Sequence, residues 1–143
     1  MADSRVDVLV HLVWGTWNRW PMIEPAWEPD LHHFLHRACA DLHCRVVASG
    51  GTADHVHLLV SLAPTVPLAR LLHDVKGASS RFVGQHHAGD RVFRWQGGYG
   101  AFSVDPASRK RVISYIRGQK HHHASGDIWP EFEAAASVHV SGA

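Results

Sequence analysis

Four residues in this chain have the types and spacing to do chemistry: His55 and His57 on one segment, Tyr115 and Gln119 on another. In His55-Val56-His57-Leu58-Leu59-Val60-Ser61-Leu62, alternation by two sends Val56, Leu58, Val60 and Leu62 to one apolar face. His55, His57, Leu59 and Ser61 take the other. Two imidazoles on one strand carry Cβ atoms about 6–7 Å apart, which suits two ligands of a single metal. The same pair could equally be two surface histidines on the solvent side of a half-buried strand. Asp54, just before the pair, is either an acceptor that orients a histidine or a turn residue.

Val112-Ile113-Ser114-Tyr115-Ile116-Arg117-Gly118-Gln119 has helical periodicity, with Val112, Ile113 and Ile116 forming a stripe and Tyr115 near its border. That position anchors the ring and leaves the hydroxyl reaching outward. Gln119 follows one turn later on nearly the same face. Taken singly, Tyr115 reads as border packing and Gln119 as a solvated polar residue. Beside a His-x-His strand the set makes chemical sense. A phenol with a pKa near 10 attacks phosphorus poorly at neutral pH, and a metal on the phosphate withdraws charge and orients it. Two imidazoles and one amide oxygen favour Mg²⁺ or Mn²⁺ over a closed structural zinc site. His121-His122-His123 reads as a cationic or phosphate-facing helix end, with His122 as a reserve ligand. Other His-x-His chemistries fit less well. A histidine-triad nucleotide hydrolase needs a third His where Leu59 stands, and neither histidine precedes the Ser or Thr of two-histidine phosphoesterases.

These residues need elements to hold them. Residues 6–14 read as a first strand, followed by a loop to Pro25. A helix over Asp30 to His43 places Leu31, Phe34, Leu35, Ala38 and Leu42 at helical spacing. Arg45 to Ser49 is a short strand, Gly50-Gly51-Thr52 a turn, and Asp54 to Leu62 the returning strand of a hairpin. Pro67 opens a second helix with Leu68, Leu71, Leu72, Val75 and Phe82 on one face. A Gly-rich loop, Trp95 to Gly100, leads to a strand at Ala101 to Val104. Asp105-Pro106 then starts a last helix running to about His123. The order β-α-β-β-α-β-α implies an α+β, ferredoxin-like sandwich: an antiparallel sheet with helices on one face, plus a C-terminal tyrosine-bearing helix.

At 143 residues the chain is expected to form one domain, 1–143, with a loosely ordered tail from about 124. Apolar residues make up 45% and charged residues 19%, which argues against disorder. No apolar run is long enough to span a membrane and no secretion signal opens the chain, so a cytoplasmic location is expected. Cys39 and Cys44 suggest neither a disulfide framework nor a zinc site. The net charge of +1 excludes little, because nucleic-acid binding needs local basic clusters and several are present. The 14 histidines identify no ligand by number alone.

Five blocks, in order, resemble the small single-tyrosine HUH transposases of bacterial insertion sequences and their repeat-associated relatives. They are His11-Leu12-Val13-Trp14, Asp54-His55-Val56-His57-Leu58-Leu59-Val60, Asp74 to Arg81, Trp95 to Val104, and Tyr115-Ile116-Arg117-Gly118-Gln119. The resemblance implies a metal-dependent endonuclease and strand transferase on single-stranded DNA. It further implies recognition of DNA hairpins near element ends and a 5′-phosphotyrosyl intermediate with a free 3′-hydroxyl. Carried over by motif, the HUH histidines are His55 and His57, the nucleophile is Tyr115 and the third ligand is Gln119. It also implies a homodimer in which the tyrosine helix of one subunit can complete the site of the other.

Single-strand binding combines cations with aromatic platforms. Trp17, Arg19 and Trp20 in the first loop and Arg94, Trp95 and Tyr99 before the last helix fit that pattern. Lys76 and Arg81 on the second helix and Lys110 at the start of the last are further DNA contacts. Two competing readings are a non-catalytic hairpin-binding protein of the same fold and a metal-dependent phosphohydrolase using water.

Overall fold

A computed structural model describes residues 3–121. The elements follow in the order β1 (Leu9–Gly15), α1 (Glu28–Ala40), β2 (Arg45–Thr52), β3 (His55–Ser61), α2 (Leu68–His86), β4 (Gly100–Val104) and α3 (Arg109–Arg117). The four strands form one antiparallel sheet in the order β2-β3-β1-β4. This α+β architecture, with the two inner strands first and third in the chain, is the ferredoxin-like arrangement expected from the element order.

Alternation along the inner strands divides the sheet into two faces. Val10, Leu12 and Trp14 of β1 and Val56, Leu58 and Val60 of β3 point to one side, where they pack with Leu31 and Leu35 of α1 and Leu71, Leu72, Val75 and Val83 of α2. Leu9 and Leu59, one step out of phase, meet Ala48, Val104 and, from α3, Val112 and Ile116 on the other side. Both faces of β3 are therefore covered, and the solvent-facing alternative for its histidines is excluded: His55 and His57 are each 0% exposed.

Several boundaries differ from the sequence-based expectation for physical reasons. α1 begins earlier, at Glu28, with Pro29 in its first turn, where a missing N–H costs nothing. It stops at Ala40 and not His43, because His43 adopts φ 61°. The Cys44 and His43 N–H groups then close back on the carbonyls of Cys39 and Ala40, a Schellman-type end with histidine in the usual glycine position. Gly50 and Gly51 are not a turn. They are the last part of β2, paired with His57 and Val56, and the chain reverses at Ala53-Asp54. A Cβ on Gly50 would lie 2.0 Å from the Ile116 carbonyl oxygen, so only glycine lets the backbone of α3 rest on this strand. The last helix does start at Asp105-Pro106, where the Asp105 carboxylate accepts the Ala107 N–H at 3.1 Å, but its first turn is a 3₁₀ turn over Pro106–Ser108. α3 ends at Arg117, Gly118 interrupts it with φ −92° and ψ 17°, and residues 119–121 are again helical. The expected continuation to His123, the reserve ligand His122 and the tail from 124 lie outside the described residues.

Candidate active site

β3 and α3 bring the four chemically distinctive residues together. His55 and His57 project from the α3 side of the sheet with ring centroids 5.0 Å apart, and the Tyr115 ring stands edge-on to His57 at 6.0 Å. Gln119 Oε1 lies 3.2 Å from His55 Nε2. The Gln119 amide nitrogen donates to the Tyr115 carbonyl at 3.2 Å, which fixes the oxygen of that amide towards the histidine. One expectation changes here. Tyr115 is 1% exposed, so its hydroxyl does not reach outward from a border position but is enclosed with the histidine pair.

The Nδ1 side of His55 is held by a polar network. The Asp54 carboxylate lies 2.8 Å from it, the Thr52 hydroxyl 2.9 Å from it, and Thr52 also donates to Asp54 at 3.0 Å. Arg19, expected on a DNA surface, instead donates to the same Asp54 oxygen at 2.9 Å. Arg19 reaches this position from a short turn in which both it and Asn18 have positive φ, 56° and 53°. Burial works to raise the Asp54 carboxyl, but hydrogen bonds from His55 and Arg19 and their charge hold it well below the usual carboxylate range. Asp54 is thus an acceptor oriented on His55, not only a turn residue.

This network bears on cation binding. With Nδ1–H directed to Asp54, a neutral His55 presents a lone pair at Nε2, and the facing Gln119 Oε1 is also an acceptor. Two acceptors at 3.2 Å repel unless His55 is charged or a cation lies between them. The donor set of two imidazoles and an amide oxygen therefore fits a divalent metal. Among the described residues no cluster of three His, Cys, Asp or Glu could hold a metal, so an amide ligand such as Gln119 would have to complete the set.

His11 was not singled out by sequence reasoning as a site residue. It is 0% exposed, and its Nε2 lies 2.8 Å from His57 Nδ1. The available signal was its place as the one polar residue in the otherwise apolar run Leu9 to Trp14, in phase with Leu9 and Val13.

The remaining expected contacts lie apart from this patch. Lys76, Arg81, Arg94, Trp95 and Tyr99 line a cleft of about 690 Å³ between α2 and the 94–99 loop. Arg94 stacks over Trp17 at 4.2 Å, and Arg81, Arg94 and Tyr99 are exposed. Lys76 donates to the carbonyls of Gln96 and Gly98 at 2.8 and 2.7 Å and so anchors the loop; burial pulls its pKa down to about 8. Trp95 is a correction: it is a core residue, edge-on to Trp14 and Phe93 with its N–H bonded to Ser79 at 3.0 Å, not an open stacking platform. Lys110 is exposed on α3.

Residues 4–119 match the family model described as Transposase IS200 like. Over 114 residues the chain is 26% identical to the ISDra2 transposase TnpA of Deinococcus radiodurans, covering 76% of this chain and 81% of that protein. Its fold resembles a crystal structure assigned as a transposase from Deinococcus radiodurans R1, with TM-score 0.67, 22% identity and coverage of 81% of this chain and 95% of that one. It also resembles a REP-associated tyrosine transposase bound to a REP hairpin, with TM-score 0.63, 14% identity and coverage of 91% and 81%. Among the described residues no helix is long and apolar enough to cross a membrane. The family match runs from before β1 through Gln119 and so includes every residue of the buried patch: the chain belongs to the IS200-like transposase family.

Proposed function

We propose that this transposase is a metal-dependent single-stranded DNA endonuclease and strand transferase, with Tyr115 as nucleophile and His55, His57 and Gln119 as ligands of Mg²⁺ or Mn²⁺. The observation that carries the reading is the meeting of Tyr115 and Gln119 with the His55–His57 pair in one buried patch. A divalent ion held there would polarise a scissile phosphodiester and lower the cost of charge on its oxygens. The phenolic oxygen of Tyr115 forms a bond to phosphorus as the bond to the 3′-oxygen breaks. The phenol loses its proton, and the departing oxygen gains one to become a 3′-hydroxyl. The product is a 5′-phosphotyrosyl ester, so one phosphoester replaces another and the reverse attack by a 3′-hydroxyl rejoins DNA without ATP. Asp54 and Thr52 hold the His55 ring during these steps, and Arg19 holds Asp54. Because the four residues are buried, a phosphate reaches them only after the packing over the site opens.

The DNA partner follows the same reading. The REP-associated neighbour is a hairpin-bound transposase, and a hairpin-marked single strand is the substrate proposed here. Arg81, Arg94 and Tyr99 around the cleft, with Lys110 on α3, supply cations and an aromatic face of the kind single strands need. A homodimer is part of the proposal; in this chain α3 rests on the sheet of its own subunit.

The test is a covalent-adduct assay with labelled single-stranded DNA from the flanks of the gene, in Mg²⁺ or Mn²⁺, on denaturing gels. A metal-dependent adduct that disappears in Tyr115→Phe is the expected result. Hairpin binding without an adduct would favour a binding-only protein, and cleavage that survives Tyr115→Phe would replace the mechanism with a water-using nuclease.

A further inference from the structure

The two histidines of the proposed metal site are supported in different ways. His55 Nδ1 meets a carboxylate, whereas His57 Nδ1 meets another imidazole, His11 Nε2, at 2.8 Å. His11 is on β1, two residues from Val13, which stands directly opposite His57. That diagonal step keeps both side chains on the α3 side of the sheet and tilts the two rings at 36° with centroids 5.0 Å apart. The Phe102 ring, opposite His11 on β4, lies 6.1 Å from it, so His11 has an apolar neighbour on the side away from His57. A polar ring at 0% exposure beside such a neighbour needs a specific partner.

A bond between two neutral imidazoles requires one N–H and one lone pair, which leaves two arrangements. If His57 Nδ1–H donates, His57 carries its lone pair on Nε2, the one nitrogen a cation could then use. If His11 Nε2–H donates instead, His57 is protonated on Nε2 and is no longer a ligand. Ligand histidines are commonly held by an acceptor on the ring nitrogen remote from the metal, and loss of that acceptor weakens binding by about 10–100-fold. We propose that His11 is the positioning residue for His57: its Nε2 accepts from His57 Nδ1–H, so that both His55 and His57 present Nε2 to one divalent cation beside Tyr115. This inference rests on the proposed metal site.

Two measurements test it. In the wild-type protein, long-range ¹⁵N–¹H correlation of the histidine rings reads tautomers directly, and His57 should be the Nδ1–H form with His11 deprotonated at Nε2. Finding His57 protonated at Nε2 would overturn the assignment, whatever any variant does. The second reads Mn²⁺ binding, by electron paramagnetic resonance of the free ion with no DNA present. His11→Phe should weaken Mn²⁺ by about 10-fold or more, and His11→Gln, whose amide oxygen can still accept, should restore affinity to within about three-fold of wild type. A folded His11→Phe protein that binds Mn²⁺ as wild type does would refute the role of His11 but leave the metal site intact. Mn²⁺ binding that is unchanged in His57→Ala would defeat the site itself and this inference with it.

Discussion

The two faces of one sheet are built on opposite terms. Beneath α1 and α2 the layer is mostly apolar, with Val10, Leu12 and Trp14 from β1, Val56, Leu58 and Val60 from β3 and the leucines of both helices, and its buried Ser79 is bonded to Trp95. Beneath α3 a short apolar patch of Leu9, Ala48, Leu59, Val104, Val112 and Ile116 gives way to His11, His55, His57, Tyr115 and Gln119, all 1% exposed or less. Burying five polar side chains is costly unless each is hydrogen-bonded or held near a charge. The first face supplies folding free energy, and the second draws on it to hold groups in a chemically useful arrangement. Substitutions should therefore separate, with stability lost on one face and chemistry on the other.

The largest effect expected is on the chemical face. Tyr115→Phe should remove the covalent adduct completely, while the loss of one hydroxyl changes stability by only about 1–2 kcal/mol. Leu35→Ala, on the opposite face at 0% exposure, should cost about 2–5 kcal/mol yet leave adduct formation by the folded fraction intact. Denaturant titration and the adduct gel, run on both variants, check the pair. A Tyr115→Phe protein that unfolds, or a Leu35→Ala protein that is folded but inert, would break the division of labour.

Gly50→Ala joins the two properties. Its methyl would stand 2.0 Å from the Ile116 carbonyl oxygen, and backbone cannot give way as a flexible side chain would. α3 must shift, at a cost of about 1–3 kcal/mol typical of overpacking. Because α3 carries Tyr115 and Gln119, adduct yield should fall about 10-fold or more, as misplacement by an ångström can cost 100-fold. Normal yield with a normal denaturant midpoint would mean that α3 does not use this seat during catalysis.

How much of this was legible in the residues depended on whether the signal was local. The alternation in β3 separated Val56, Leu58 and Val60 from His55 and His57 without help from any other segment. Tyr115 and Gln119 were readable as helix neighbours, and their chemistry was readable once set beside the His pair. Gly50 and Gly51 were misread because glycine marks both turns and close backbone approaches: the Ile116 carbonyl against Gly50 is 66 positions away, and the His55 carbonyl is brought against Gly51 only by strand pairing. Arg19 read as a surface cation because its acceptor, Asp54, reaches it only through folding. His11 was hidden inside an apolar run, where its partner on β3 is fixed by strand register and not by sequence distance. Trp95 gave a correct aromatic signal and a wrong location, since nothing in its neighbours distinguishes a buried indole from an open one.

A smaller effect concerns acid stability away from both faces. Burial lowers the His32 pKa from 6.5 to about 4, with Glu28 raising it and Lys120 and His36 lowering it further. The folded pKa is therefore below the unfolded one, and the unfolded chain binds more protons between them. Stability is full above about pH 6.5 and is lost as pH falls towards 4, by roughly 2–3 kcal/mol for this group. His32→Gln should flatten that part of the profile. Denaturant midpoints at pH 7 and pH 5 provide the check, and an unchanged slope would show that His32 is protonated as readily folded as unfolded.

The smallest effect sharpens the same point. Lys120, mostly exposed, meets Glu28 at 2.7 Å and the Gly51 carbonyl at 3.2 Å, tying the helical turn after Gly118 to α1 and β2. A pair in which one partner is mostly exposed contributes about 0.2–1 kcal/mol and is screened by salt. Lys120→Met should lower stability by that amount in dilute buffer, and about 0.5 M NaCl should shrink the difference. The substitution also removes one of the charges that disfavour protonated His32, so it should make the loss of stability between pH 7 and pH 5 slightly shallower than in wild type. A steeper loss would mean that the methionine buries His32 more deeply, and that burial outweighs the lost charge.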